Sequence, residues 1–147
     1  MHNLFIAYAP DTNDTRRIVD QVRGAFDATA FTVTVKNAAD SLLPDLAGAD
    51  LLVFGLQKAE GGEIPADFSE LVRSLKGANL AGRVASIFSV GSEKASARLR
   101  KALRDTDVSV SDEDPVFGGQ KSARQADVAE WARKVTAFFE DVRRVRA

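Results

Sequence analysis

The chain contains no cysteine and only one histidine. The first absence excludes a disulfide framework, cysteine-ligated zinc, iron–sulfur ligation and thiol redox chemistry. The second argues against a histidine-based metal site, so no metal is expected. No run is long or apolar enough to cross a bilayer. Met1-His2-Asn3 passes straight into the first apolar run, so no signal peptide is expected ahead of it. A cytoplasmic protein with no membrane partner is the expectation. Charge of one sign is also lacking. Twenty basic residues face 21 acidic ones for a net charge of −1, so no whole-molecule field points to nucleic acid. Basic residues do gather at Arg133, Lys134, Arg143, Arg144 and Arg146, where they suit a solvated face near a helix carboxyl end. No internal repeat, linker or low-complexity segment breaks the chain.

What the chain does have is enough apolar material, 45% of 147 residues, for one domain spanning 1–147 with a sizeable core. Strand and helix signals alternate along it, the pattern of βαβ units on a parallel sheet. Leu4-Phe5-Ile6-Ala7 reads as a buried first strand, and Ile18, Val19, Val22, Ala25 and Phe26 as the inner face of a helix. Phe31 to Val35 alternates as strand two. Asn37 to Ala47 reads as a loop or short helix broken by Pro44 and Gly48. Asp50 to Gly55 is a fully buried central strand ending on glycine, followed by a helix with Phe68, Leu71, Val72 and Leu75 inward. Arg83 to Phe88 is strand four, and a helix over about Glu93 to Arg104 follows it. Val108 to Val110 is a short fifth strand, interrupted by Asp112-Glu113-Asp114-Pro115 and resumed at Val116-Phe117.

The last helix is predicted to start at Ser122, with Ser122 and Gln125 as a capping box. Its apolar stripe is Val128, Trp131, Val135, Phe138, Val142 and Val145, which suits a helix covering one face of the sheet. The fold class is therefore α/β, a three-layer α/β/α doubly wound sandwich with a five-stranded parallel sheet.

Between the first strand and first helix stands Tyr8-Ala9-Pro10-Asp11-Thr12-Asn13-Asp14-Thr15. A strand feeding a tight loop and a helix N-terminus is a phosphate-holding geometry. This stretch resembles the Y-G-S-T-T-G-N-T of flavodoxins, with Tyr8, Thr12 and Thr15 kept, Asn13 in place of the glycine, and Asp11 and Asp14 added. Three further landmarks resemble that family. Ala49 to Gly55 matches its third strand, Gly62-Glu63-Ile64-Pro65 with Asp67-Phe68 its G-E-L-P and helix start, and Leu80 to Gly91 its fourth strand and loop. Together they cover nearly the whole chain in the short-chain form.

The resemblance implies a flavodoxin-like fold, FMN at the carboxyl edge of the sheet, and electron transfer to a protein partner. It places the phosphate on Pro10, Asp11, Thr12, Asn13, Asp14 and Thr15. The ring falls between the third-strand loop (Gln57, Lys58, Ala59, Glu60) and the fourth-strand loop (Ser89, Val90, Gly91, Ser96). The chain departs from the pattern at the ring. Ala59 aligns with the usual Trp, Ser96 lies near the usual Tyr, Ser92 replaces an Asp, and no aromatic residue lies between Phe88 and Phe117.

At the phosphate, each close carboxylate costs a bound dianion roughly 1–3 kcal/mol. Each missing stacking partner costs about 0.5–1.5 kcal/mol more. The expectation is an FMN site eroded by about a thousandfold or more, in a protein acting through a redox or regulatory protein partner or another ligand. The alternative is a working FMN electron carrier with atypical loops. Lys58 is a candidate for attracting an anionic ligand, and oxygen ligation of Mg²⁺ or Ca²⁺ by Asp11, Asp14, Glu60 and Glu63 is a minor alternative. No acid–base pair or nucleophile suggests a catalyst. Gly55 and Leu56 stand where a response-regulator receiver needs its phosphorylatable Asp, which removes that reading.

Overall fold

A computed structural model describes residues 1–59, 64–118 and 124–146. Strand β1 (His2–Ala9) leads to helix α1 (Asn13–Ala25), strand β2 (Phe31–Asn37), a 3-10 turn (Ala38–Asp40) and helix α2 (Leu43–Ala47). Strand β3 (Leu51–Gln57) is followed by a 3-10 turn (Ala66–Phe68) running into α3 (Ser69–Leu75). Strand β4 (Val84–Val90), α4 (Ala97–Arg104), β5 (Ser109–Val110), β6 (Val116–Phe117) and α5 (Gln125–Arg146) complete the chain. The sheet order is β2-β1-β3-β4-β5, with β6 also on β4, and every pairing is parallel. The fifth strand is thus two short segments beside one neighbour, split at 111–115.

Side chains alternate between two cores, as the period of a strand requires. Leu4, Ile6, Leu51, Val53, Val84 and Phe88 face α1 and α5, meeting Ile18, Val22, Trp131, Val135 and Phe139. Phe5, Ala7, Leu52, Phe54, Ala85 and Ile87 face the other helices, meeting Leu46, Phe68, Leu71, Leu75, Leu99 and Leu103. Burial on both faces explains why the central strands read as continuous apolar runs.

Several boundaries differ from the sequence expectation. Pro44 does not break α2: it sits in its first turn, where a missing N–H costs nothing, and Gly48 closes the helix. Strand β3 does not end at Gly55 but continues through Leu56 to Gln57. Gly55 is required there because the Phe88 ring lies over it, 2.2 Å from where a Cβ would stand. Helix α4 begins at Ala97, not Glu93, because 91–96 forms a loop tied to β4. Helix α5 begins at Gln125, and Ser122 lies outside the described residues. Within α5, Phe139 is the buried ring, Phe138 is only partly buried, and Val145 is 86% exposed. The stripe therefore stops short of the end of the helix. Phe26 lies just past α1 as its C-cap residue while remaining in the core.

Candidate functional site

Three loops meet at the carboxyl edge of the sheet, after β1, β3 and β4, the place where doubly wound sheets bind ligands. The first, 10–12, enters α1 with Thr12 as N-cap, extended at φ −110° and ψ 161°. Its Oγ1 accepts the Thr15 amide at 3.3 Å. The same hydroxyl donates to Thr15 Oγ1 at 3.1 Å, and the fully buried Thr15 hydroxyl donates to Gln57 Oε1 at 3.4 Å. That relay fastens the first loop to the end of β3. It also occupies both threonine hydroxyls with internal partners. Thr12→Ala is expected to cost about 1 kcal/mol of stability through loss of the cap, with Thr12→Ser close to wild type. Urea unfolding and faster exchange of the Thr15 amide would report it.

Asp11, Asn13 and Asp14, candidates for engaging the helix amides, point instead to two arginines. Asp11 Oδ1 accepts the Tyr8 hydroxyl at 3.0 Å and lies 3.3 Å from Arg16 Nε. Arg16 also donates to Asn13 Oδ1 at 2.9 Å, and Arg17 donates to Asp14 Oδ1 at 2.9 Å. The two acidic charges are matched by two basic ones. These pairs are about half exposed and contribute little to stability individually. They do, however, cancel the local field that the carboxylates alone would create. Burial, then the hydrogen bond to Asp11, raises the Tyr8 phenol above its ordinary value, so it remains a donor at neutral pH.

Lys58, after β3, reaches across to the loop after β4 and pairs with Glu93 at 2.8 Å. The hydrogen bond from Lys58, then its charge, lowers the Glu93 carboxyl below its usual range. Lys58 is thus engaged by a carboxylate of its own chain. Ala59 adjoins it with no aromatic surface, and Glu60 lies outside the described residues, as do Gly61, Gly62 and Glu63.

The loop after β4 turns inward. Ser89 is buried, and its Oγ accepts the Ala95 amide at 2.9 Å. Val90 is buried in the core, and Gly91 turns the chain at φ +111° while donating to the Phe117 carbonyl. Ser96 is buried and donates to Asp114 Oδ2 at 2.8 Å. Arg100 Nε lies 3.6 Å from the same carboxylate oxygen, and its guanidinium donates to the carbonyls of Ser111 and Glu113. Ser89 and Ser96 therefore have structural partners. Their roles are to close the loop and anchor 111–115, the segment that splits the fifth strand. Of the expected residues, Pro10 to Thr15, Gln57, Lys58 and Gly91 gather at the edge, whereas Ser89, Val90 and Ser96 turn away from it.

Sequence reasoning missed Arg16, Arg17 and Glu93. The Asp14–Arg17 spacing, three apart on one helix, was a usable signal for the first pair. The Lys58–Glu93 contact joins two loops and leaves no local trace. Asp11 and Asp14, spent on arginines, do not converge as an oxygen cage. Among the described residues no cluster of three or more potential ligands is poised for a metal ion. Among them, too, no helix is long and apolar enough to cross a membrane.

No protein-family model matches the chain. Over 94 residues it is 33% identical to a flavodoxin of Maridesulfovibrio salexigens, a match covering 62% of this chain and 64% of that protein. The match thus spans a little under two thirds of that relative's length. A short-chain flavodoxin associated with a non-canonical PDU bacterial microcompartment superposes with a TM-score of 0.81 at 15% identity. That superposition covers 95% of this chain and 99% of the other. A Fusobacterium nucleatum flavodoxin bound to flavin mononucleotide superposes at 0.67 with 14% identity, over 98% of each chain. The chain has the flavodoxin-like fold along nearly its whole length, and over 94 residues it is similar in sequence to a flavodoxin.

Proposed function

We propose that this protein is a flavodoxin-like domain with an eroded FMN site, one that binds FMN weakly or not at all and acts through protein contacts or another ligand. The observation that carries this reading is the Lys58–Glu93 ion pair joining the third-strand and fourth-strand loops. A flavin ring entering between those loops needs flat apolar surfaces to stack on, worth about 0.5–1.5 kcal/mol each beyond buried area. No aromatic residue stands on 57–63 or 89–96. The residues present do not fit a stacked ring. At the phosphate end, the Thr12 and Thr15 hydroxyls and the Thr15 amide already have partners, which an incoming phosphate must displace.

One observation favours a second reading, a working FMN electron carrier with atypical loops. Arg16 and Arg17 offset Asp11 and Asp14, so the like-charge penalty on a phosphate is smaller than the carboxylates alone imply.

The test is the visible spectrum of the purified protein, followed by titration of FMN fluorescence. The expected protein is colourless and leaves FMN fluorescence largely unquenched. A yellow protein with a structured, shifted flavin band supports the second reading and overturns the first. Ala59→Trp combined with Lys58→Gln, which offers a stacking face and opens the ion pair, is expected to raise FMN affinity about tenfold, ~1.4 kcal/mol. Unchanged affinity would show that stacking is not what limits the site.

A further inference from the structure

The two lateral edges of the sheet differ. At one edge β5 and β6 are two residues each, separated by 111–115, and present no continuous row of backbone groups. At the other stands β2, seven residues long and paired only with β1. In a parallel ladder the N–H and C=O of one residue turn to the same neighbouring strand, and those of the next residue turn to the opposite side. His2 donates to the Ala30 carbonyl at 2.9 Å, and Asp50 donates to the Asn3 carbonyl at 2.8 Å. Even-numbered residues of β1 therefore serve β2, and odd-numbered ones serve β3. On β2 the same parity turns Thr32, Thr34 and Lys36 inward to β1. It leaves the backbone groups of Phe31, Val33, Val35 and Asn37 on the outer edge. Two of these are already engaged: the Phe31 amide donates to the Asp27 carbonyl, and the Asn37 carbonyl accepts the Ser41 hydroxyl. The Phe31 carbonyl, both groups of Val33 and of Val35, and the Asn37 amide have no partner among the described residues. Natural edge strands are commonly blunted by proline, charge or a bulge. Phe31 to Val35 contains neither proline nor charge, its register on β1 is unbroken, and the ammonium of Lys36 is drawn to Asp45 at 3.2 Å.

We propose that β2 pairs antiparallel with β2 of a second copy of this chain, about a two-fold axis at Thr34, so that one sheet runs through both copies. The pattern of free groups selects this occupant and this register. In an antiparallel pair, facing residues with their backbone groups between the strands exchange both hydrogen bonds. With the axis at Thr34, Val33 lies opposite Val35 of the second copy and exchanges both bonds with it, and symmetry repeats the exchange. The Asn37 amide meets the Phe31 carbonyl of the second copy. The groups left facing each other are the Phe31 amide and the Asn37 carbonyl, the two that each copy has already satisfied internally. An axis at Val33 or Val35 instead sets one of those engaged groups against a free one and leaves another free group unmatched. The side chains agree with the same register. Thr34 is exposed and faces Thr34 of the second copy, a stabilising cross-strand pair. Met1, 80% exposed, lies against Thr32, its Sδ accepting the Thr32 hydroxyl. Leu42, 64% exposed, is held through its amide to Asp45 beside Lys36, and Lys36 of one copy falls opposite Thr32 of the other. The pairing thus brings Met1 of each copy toward Leu42 of the other and covers both. A two-fold contact uses up both free edges, so it closes as a dimer and does not propagate into a fibre. It is independent of whether FMN binds.

The absence of cysteine makes the register directly testable. Thr34→Cys places one thiol per chain at the axis, where facing Cα atoms of a non-hydrogen-bonded pair stand about 4.5 Å apart, within disulfide reach. Thr32→Cys, exposed on the same face, sets its thiol about 14 Å from its own counterpart, four residues further along the strands. Under mild oxidation Thr34→Cys should form a covalent dimer at least about tenfold faster than Thr32→Cys. In sedimentation the wild-type protein should become dimeric as its concentration rises. Thr34→Lys and Thr34→Glu each set like charges across the axis and should weaken the dimer at least about tenfold, and mixing the two variants should restore it. Amides of Val33, Val35 and Asn37 should exchange with solvent more slowly at high protein concentration, with those of Thr32, Thr34 and Lys36 unchanged. A wild-type protein that stays monomeric up to about 1 mM, where even weak association shows, would overturn the pairing. So would equal cross-linking by the two cysteine variants, or a mixture of the charged variants that remains monomeric. A dimer in which the Val33 and Val35 amides exchange as fast as in the monomer would also overturn it, by placing the contact elsewhere, and a strand from a different protein would then be the occupant to seek.

Discussion

Trp131→Ala is expected to destabilise the protein by about 3–5 kcal/mol, the usual range for emptying a large buried aromatic site. Trp131 is 3% exposed and sits at the centre of the core beneath α5. It meets Phe26, Phe88 and Phe117 edge-on with ring centroids 5.8, 5.6 and 5.7 Å away. Those rings come from the end of α1, from β4 and from β6, so one side chain ties three separate parts of the chain to the last helix. Its removal leaves a cavity that rigid aromatic neighbours cannot collapse into. Against a total stability of about 5–15 kcal/mol, the loss is a large fraction. In thermal unfolding it corresponds to a fall on the order of 10 °C. Circular dichroism is the right probe, since Trp131 is the only tryptophan and its fluorescence disappears with it. Trp131→Phe should cost far less. It keeps most of the ring volume and removes an indole N–H that has no hydrogen-bond partner among the described residues. If Trp131→Ala unfolded at the wild-type temperature, the aromatic cluster would not be holding α5 to the sheet.

How much of this was legible beforehand depended on the range of each interaction. Apolar alternation in β1, β3 and β4 is a local signal, and it placed the sheet and its two buried faces. The split fifth strand was visible too, because Asp112 to Pro115 cannot continue a buried strand. Errors arose where a local rule had a tertiary exception. Pro44 looked like a helix breaker, but the first turn of α2 has no use for its missing N–H. Phe138 and Phe139 are neighbours in sequence, and the stripe could be drawn through either. Contact with Phe31 and His2 at the end of the sheet selected Phe139.

The meeting of the three loops was legible, because a doubly wound sheet must bring them to one edge, but the side-chain contacts within them were not. The acids at Asp11 and Asp14 read as an uncompensated negative charge only when counted without the next turn of helix. Arg16 and Arg17 follow immediately and take up both. Ser89, at the end of β4, and Ser96, in the loop after it, were placed at the edge by sequence position, which does not fix which way a side chain turns. Ser96 turns to Asp114, eighteen positions away, a contact with no local signature.

Gly55→Ala is expected to cost about 3 kcal/mol, above the middle of the range for overpacking a close-packed core. Gly55 is the cross-strand partner of Phe88, and a Cβ at this position would stand 2.2 Å from the Phe88 Cζ and 2.7 Å from Cε2. The Phe88 ring has nowhere to retreat, since Phe117 and Trp131 pack against it at 5.8 and 5.6 Å. Either the ring leaves its rotamer or β3 moves away from β4. The second response reaches the candidate site, because two residues beyond Gly55 the strand presents Gln57 to Thr15 and then Lys58 to Glu93. The two responses are separable by experiment. Gly55→Ala with Phe88→Leu removes the clash, at the cost of a cavity beside Trp131. The double variant should therefore be more stable than the sum of the single losses by more than about 1 kcal/mol. Amide shifts at Thr15 and Gln57 that change in Gly55→Ala and return in the double variant would show that the strand, not the ring, had yielded. Additive losses would mean that the Phe88 ring does not restrict this position, and that β3 passes Gly55 for some other reason.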